Sequence, residues 1–261
     1  MSAPTNPLQA GVPLPQDLSI LAVIPARLAS TRLSRKVLRE IAGKPMLDWV
    51  YRAAKACNQL DRVLIATDSD EVMAFARQSG FDAMLTPAEC ASGTDRLHFV
   101  AQSVSAEIYV NIQGDEPLLR PEHIDALLGP LLRNPAAQVS TLFTPCAPDQ
   151  IGNPNAVKVV AAADGRALYF SRAAIPFDRD RTGLAVYRKH LGLYGYRKAA
   201  LDRFPALPAS ALEATERLEQ LRFLENGIDI YVEPTEYDTI GVDTEEDLLA
   251  VEALLRKTPA I

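Results

Sequence analysis

Ile20-Leu21-Ala22-Val23-Ile24-Pro25-Ala26-Arg27-Leu28-Ala29-Ser30-Thr31-Arg32-Leu33-Ser34-Arg35-Lys36 is the stretch on which the fold of this chain turns. Its first five residues are apolar and rich in β-branched side chains, the composition of a strand buried on both faces. The remainder of the stretch is cationic, with Arg27, Arg32, Arg35 and Lys36 beside the hydroxyls of Ser30 and Thr31. A basic loop after a first strand falls at the sheet edge where open α/β folds bind ligands. Small residues at Ala26, Ala29, Ser30 and Thr31 let backbone N–H groups approach an anion, while Arg27 and Arg32 can each present a planar fork to two oxygens. Lys36 adds a point charge. The loop has neither the G-x-x-x-x-G-K-[ST] of a Walker site nor a G-x-G-x-x-G fingerprint, so the ligand expected is a polyphosphate held by other rules.

Outward from this loop, apolar runs alternate with segments of helical period. Strands are expected at Ile20–Ile24, Arg62–Thr67, Phe81–Leu85 and Glu107–Ile112, and helices at Pro45–Ala56, Asp70–Gln78 and Thr94–Ser103. This β-α-β alternation predicts an α/β fold with a mostly parallel sheet and right-handed crossovers. After a helix at Ile124–Leu132 and a strand at Gln138–Phe143 the pattern changes. Residues 145–190 carry Pro145, Pro148, Pro154 and Pro176, strand-like runs at Val157–Ala162 and Ala167–Phe170, and the charged turn Asp178-Arg179-Asp180-Arg181. They read as an inserted antiparallel lobe, low in helix. One helix is expected over Leu212–Leu224, then a strand at Ile228–Val232 and a helix at Glu245–Leu255 capped by Thr244.

Composition narrows the function. With 261 residues and 48% hydrophobic content the chain can bury a sizeable core. A formal charge of −6 without a charged tail supplies no global field to recruit nucleic acid or an anionic membrane, so the basic loop acts locally. No apolar run reaches the roughly 18 residues that would span a bilayer, and no membrane insertion is expected. Cys57, Cys90 and Cys146 are odd in number and lack C-x-x-C spacing, which suits a reducing, cytoplasmic compartment. Residues 1–18 carry Pro4, Pro7, Pro13 and Pro15 and no Lys or Arg, so they read as a flexible extension. The remainder, 19–261, reads as a single domain with the lobe at about 145–205.

Two acidic motifs stand where strands should end, Gln113-Gly114-Asp115-Glu116-Pro117 and Gly241-Val242-Asp243-Thr244. A Gly beside an acid turns the backbone sharply and leaves the carboxylate at the sheet edge. Opposite a cationic loop, such carboxylates suit Mg²⁺ shared with phosphate oxygens; Asp243 can equally be a helix cap. Ser92-Gly93-Thr94-Asp95-Arg96 can cap a helix or present N–H groups to a nucleoside, with Arg96 one turn inside. In the run His190 to Arg197, His190 is open to structural, catalytic or sugar hydrogen-bonding roles. Glu213, Glu216 and Gln220 fall at i, i+3 and i+7, one polar face of the expected helix.

Taken in order, Ile24-Pro25-Ala26-Arg27 with Ser30-Thr31-Arg32-Leu33, Ala42-Gly43-Lys44-Pro45-Met46, Ala66-Thr67-Asp68, Ser92 to Arg96 and Asn111 to Pro117 resemble the 3-deoxy-manno-octulosonate (Kdo) cytidylyltransferase family. Asn153 to Lys158, Ala167 to Arg172, His190 to Arg197, Leu218 to Arg222 and Gly241 to Thr244 extend the likeness over roughly residues 20–255. The resemblance implies a nucleotidyltransferase-like Rossmann fold with helices on both faces and an inserted dimerisation lobe, acting as a homodimer on CTP and Kdo with Mg²⁺. It implies Arg27, Ser30, Arg32 and Lys36 on the triphosphate, and Ala26, Ala66, Thr67, Ser92, Gly93 and Arg96 around the nucleotide. Asp115 and Asp243 would take the metal, and Arg27, Arg32, Lys36, Asp115 and Asp243 would form the catalytic set. Gln113, Arg172, His190, Tyr194, Glu213 and Gln220 would face the sugar acid, Arg172 meeting its carboxylate. Alternatives are a paralogue acting on 8-amino-Kdo, sialic acid or another acid, and a non-catalytic nucleotide-binding protein. Ser34 and Arg35 stand where the family has Pro and Gly, and Cys90 where it commonly has His. Losing that Gly removes a residue free to take positive φ, which predicts an altered backbone cradle.

Overall fold

The apolar run at Ile20 forms the centre of the first strand in a computed structural model that describes residues 18–28, 33–90 and 92–257. In chain order the elements are β1 (Leu18–Ala26), β2 (Glu40–Ile41), β3 (Lys44–Pro45), α1 (Met46–Lys55), β4 (Arg62–Thr67), α2 (Asp70–Ser79), β5 (Ala83–Leu85), α3 (Gly93–Ala101), β6 (Ala106–Asn111) and α4 (Pro121–Arg133). They continue as β7 (Val139–Pro145), β8 (Lys158–Ala161), β9 (Ala167–Ser171), β10 (Arg188–Arg197), α5 (Lys198–Arg203), α6 (Ala211–Glu216), α7 (Leu221–Glu225), β11 (Ile230–Pro234) and α8 (Glu245–Leu255). The chain divides into two units, Met1–Pro121 with Thr239–Ile261, and Glu122–Asp238.

In the first unit, β6, β1, β4 and β5 lie side by side and all parallel. Leu21 to Ile24 have no accessible surface, as a strand covered on both faces requires. The register pairs Pro25 with Ala66, Ala26 with Thr67 and Val23 with Asn111, so the ends of three strands meet at one edge. Helix starts are marked in the sequence. Ser69 Oγ accepts from the Val72 N–H at α2, and Ser92 with Asp95 and Thr244 with Asp247 form capping boxes at α3 and α8. Leu33, Ile41, Met46, Val242, Leu248 and Val251 build a buried cluster. That cluster joins the end of the cationic loop to the C-terminal return of the chain.

In the second unit, β11 pairs parallel with β7, β7 antiparallel with β10, β10 with β8, and β8 with β9. The antiparallel pairs bear out the strand reading of Val157–Ala162 and Ala167–Phe170. The strand β10 carries no such signal, because Gly192 and Gly195 dilute its β-branched content. Gly195 is required there, since a Cβ would stand 2.6 Å from Ser140 Oγ and 2.9 Å from Leu131 Cδ1.

The single helix expected over Leu212–Leu224 is corrected to two. Arg217 takes φ 55, ψ 47 and ends α6, and α7 begins at Leu221. The cause is tertiary. The Glu216 carboxylate accepts from Ser171 Oγ at 2.6 Å and from the Arg172 N–H at 3.0 Å, while Arg172 Nε donates to the Glu216 carbonyl at 2.7 Å. Glu213, Glu216 and Gln220 therefore do not share one helical face. Beside this junction Lys158, with no accessible surface, donates to the carbonyls of Asn153, Ala156 and Arg172 at 2.9, 2.5 and 2.8 Å. The three N–H donors of the ammonium are matched by three carbonyl acceptors, so the buried charge is fully hydrogen-bonded. Substituting Lys158→Met should lower unfolding free energy by about 3 kcal/mol or more, since it leaves buried acceptors unpaired; a urea titration with an unchanged midpoint would refute this.

Candidate functional site

Lys36 opens a short 3-10 turn, Lys36–Leu38, anchored by the buried Val37. Its Nζ donates to Asp115 Oδ2 at 2.5 Å and to Asp243 Oδ1 at 2.8 Å. Burial alone would lower its pKa, but the attraction and hydrogen bonds of Asp115 and Asp243 outweigh burial and hold it above the ordinary lysine value. The ammonium is therefore charged at neutral pH.

Backbone contacts place both acids. Gly114 approaches β1 so closely that a Cβ would lie 2.9 Å from the Pro25 carbonyl. The Val242 N–H donates to the Asp115 carbonyl at 2.9 Å, which joins the two acidic motifs directly. Asp243 does not cap α8. Thr244 does so with Asp247, whose carboxylate also accepts from the Asp243 N–H, and the Asp243 side chain is left to meet Lys36.

Among the described residues no three His, Cys, Asp or Glu side chains form a cage that could hold a metal by themselves. The Asp115 and Asp243 carboxylates nevertheless converge on one cation, and two carboxylates completed by phosphate and water are a donor set that Mg²⁺ accepts. Ser30 and Arg32 lie outside the described residues. Arg27 is described, and its Nη2 is buried without a hydrogen-bond partner among the described residues, a donor suited to an anion.

Arg35 takes φ 55, ψ 33, the left-handed conformation, and its guanidinium pairs with Glu71 at the start of α2. Arg35 thus adopts the positive φ that a Gly would provide, at a cost of about 1–2 kcal/mol for a residue with a Cβ.

Around the other nucleotide candidates the strand ends and α3 meet. Ala26, Ala66 and Thr67 are fully buried, backbone included, so they form the floor beneath the strand ends. A Cβ on Gly93 would lie 3.5 Å from Asn111 Nδ2 and 3.6 Å from Pro25 Cγ, and Ser92 is engaged in its capping box. Arg96 has no accessible surface; it donates to Asp68 at 2.8 Å and to Thr86 Oγ1, tying α3 to the residues after β4 and β5. Burial raises the Cys90 thiol pKa, so that position presents a neutral group. Asn111 and Asp68 lacked any isolated signal in the sequence, because their roles come from register and long-range pairing.

Of the sugar-facing candidates, Gln113 is in the first unit, where its carbonyl accepts from the Glu116 N–H. The others are in the second unit. Arg172 donates from Nε, Nη1 and Nη2 to the carbonyls of Glu216, Pro154 and Arg217, so its guanidinium braces the chain. Glu213 forms a two-point ion pair with Arg222 at 2.7 and 2.6 Å. Both line a cavity of about 540 Å³ with Ser210, Arg217, Glu219 and Gln220. Gln220 is buried, with Nε2 unpartnered among the described residues.

His190 and Tyr194 come together on β10 with ring centroids 5.5 Å apart, and Phe170 and His190 form a T-shaped pair with centroids 5.0 Å apart. Thr141 Oγ1 lies 2.7 Å from the Leu193 carbonyl and 3.0 Å from His190 Nε2. The one hydroxyl proton serves Leu193, so the oxygen accepts from His190 Nε2–H. The residue as a whole keeps some accessible surface, yet burial pushes the imidazole pKa down to about 3. A neutral imidazole is a hydrogen-bonding group here.

Comparison with known proteins gives a concordant picture. A family model described as Cytidylyltransferase matches residues 21–230. The chain is 69% identical over 239 residues to the 3-deoxy-manno-octulosonate cytidylyltransferase of Acidobacterium capsulatum, covering 92% of this chain and 97% of that one. It is 61% identical to the enzyme of the same name from Koribacter versatilis, covering 90% of each. A solved structure of CMP:2-keto-3-deoxy-manno-octonic acid synthetase complexed with CTP superposes with a TM-score of 0.89 at 40% identity, covering 92% of this chain and 99% of the other.

The His190 environment makes stability pH-dependent. Its folded pKa of about 3 lies below an unfolded value near 6.5, so the unfolded chain binds the extra proton between them. The contribution is complete above about pH 6.5 and is lost as pH falls toward 3. Between pH 6.5 and 5 the loss should reach about 2 kcal/mol, and His190→Asn should abolish that increment in chemical-denaturation titrations. Equal slopes for both proteins would refute the assignment.

Proposed function

This chain belongs to the 3-deoxy-manno-octulosonate cytidylyltransferase family, and from that membership we propose that it couples CTP to Kdo, giving CMP-Kdo and pyrophosphate for lipopolysaccharide assembly. The observation that carries the reading is the convergence of Lys36, Asp115 and Asp243 beside the cationic loop after β1. In the proposed reaction the anomeric hydroxyl oxygen of the sugar acid bonds to the α-phosphorus of CTP. The bond from that phosphorus to the bridging oxygen breaks, pyrophosphate leaves, and the hydroxyl proton passes to solvent.

Both reactants are anions, and two unit charges 4 Å apart repel by about 4 kcal/mol at an effective dielectric of 20. Arg27, Arg32 and Lys36, with Ser30, are assigned to the triphosphate, where they offset that repulsion. Ala26, Ala66, Thr67, Ser92 and Gly93 are assigned to the nucleoside region, and buried Arg96 to shaping it. Asp115 and Asp243 would hold Mg²⁺, which when bound polarises phosphate oxygens and acidifies a bound hydroxyl. Gln113, His190, Tyr194, Glu213 and Gln220 are assigned to the sugar acid by hydrogen bonding, with Arg172 bracing the segment around Glu216. Catalysis would then consist of positioning and charge stabilisation rather than a dedicated side-chain base.

We assign the protein to the cytoplasm as a homodimer. Cys57, Cys90 and Cys146, odd in number and without C-x-x-C spacing, suit a reducing compartment, and no helix among the described residues is long and apolar enough to cross a membrane. On the lobe, Phe177, Leu184 and Val186 are 84%, 82% and 70% exposed, large apolar side chains whose burial against a second copy would favour association.

Incubated with Mg²⁺, each of four nucleoside triphosphates and a panel of keto-acid sugars, the protein should release pyrophosphate with CTP and Kdo. Asp115→Asn should lower kcat by about 100-fold or more, the usual scale for losing a charge-stabilising group. No release with CTP and any sugar acid would overturn the function. Sedimentation should give a dimer that Phe177→Glu weakens; a wild-type monomer at micromolar concentration would overturn the assembly.

A further inference from the structure

We propose that Lys36 is a resident counter-cation of the metal position: in the metal-free protein its ammonium fills the point between Asp115 and Asp243, and it must withdraw for a divalent ion to enter. The proposal rests on the assignment of Asp115 and Asp243 to Mg²⁺ made above. Nζ stands 2.5 Å from one carboxylate oxygen and 2.8 Å from the other. An Mg²⁺ bound to the same two oxygens at about 2.1 Å would overlap the ammonium, so the two cations exclude one another.

The surroundings favour exchange over a permanent bridge. The Lys36 side chain is 14% exposed, while those of Asp115 and Asp243 are 27% and 44% exposed, so an ion can reach the carboxylates from solvent. The Lys36 backbone is held by the 3-10 turn and by Val37, 3% exposed, which confines the displacement to a flexible four-carbon side chain. Meanwhile the ammonium keeps two like charges converged, on backbones joined by the Val242 to Asp115 hydrogen bond. The carboxylate pair is thus preorganised before metal arrives.

Once displaced, the ammonium is a free cation at the end of the basic loop. A triphosphate offers it a new partner, so metal and nucleotide each make room for the other. By thermodynamic reciprocity their binding is coupled with positive sign.

The test uses the full-length, nucleotide-free protein and Mn²⁺ as an EPR-visible probe. Lys36→Met should bind Mn²⁺ at least tenfold more tightly than wild type, whereas Lys36→Arg, which keeps a cation, should remain weak. Equal or weaker binding by Lys36→Met, with binding that Asp115→Asn removes, would overturn the resident-cation proposal and leave the metal site standing. Mn²⁺ binding untouched by Asp115→Asn in the Lys36→Met background would overturn both. Because the variants need not fold, wild type is also followed by ¹⁵N NMR of lysine side chains. Saturating Mg²⁺ should shift the Lys36 Nζ resonance, and movement of the Asp115 and Asp243 carboxyl carbons without it would refute displacement.

Discussion

Lys36, Asp115 and Asp243 are separated by 79 and 207 residues, yet one ammonium donates to both carboxylates. No local preference brings them together. The parallel register puts the end of β6 beside the end of β1, and Gly114 lets the next turn come against the Pro25 carbonyl. The buried cluster around Met46 and Val242 seats the returning chain, and the Val242 N–H completes the junction. Every functional assignment in the first unit depends on that convergence, because carboxylates that diverged would hold neither the ammonium nor a metal.

The second unit contains a contrasting lysine. Lys158 is fully buried and donates only to backbone carbonyls, and burial lowers its pKa; Lys36 is partly exposed and paired with carboxylates, and its pKa is raised. Neutral carbonyl dipoles offset desolvation of a cation less than anions do. The difference in partner separates a fixed brace from an exchangeable contact. Lys158 holds the Asn153 to Ala156 turn and the carbonyl of Arg172, and Arg172 in turn captures Glu216. These contacts fix the end of α6 near Arg217, and Glu213 and Gln220, on either side of that break, line the cavity.

Much of the first unit was legible because its signals are local. The continuous apolar run at Ile20–Ile24 marks a doubly covered strand, and Ser92 and Thr244 mark helix starts through bonds spanning three residues. The Lys36, Asp115 and Asp243 set was legible as candidates, since each comes after a strand or precedes a helix. The two functions open to Asp243 were not separable, because Asp243 and Thr244 are both competent N-caps and only the fold shows which one turns to Lys36. Arg96, expected at the nucleotide, and Arg172, expected at the sugar carboxylate, are engaged by Asp68 and Thr86 and by backbone carbonyls respectively.

What the sequence determined by itself is whatever depends on neighbours a few residues apart: the alternation of strands and helices, the helix caps, and a cationic loop with acids at strand ends. Tertiary structure decided the break at Arg217, the glycine-diluted strand β10, the depressed pKa of His190, and which charges pair. Burial and ion pairing depend on groups tens to hundreds of residues away, and periodicity and propensity carry no information at that range.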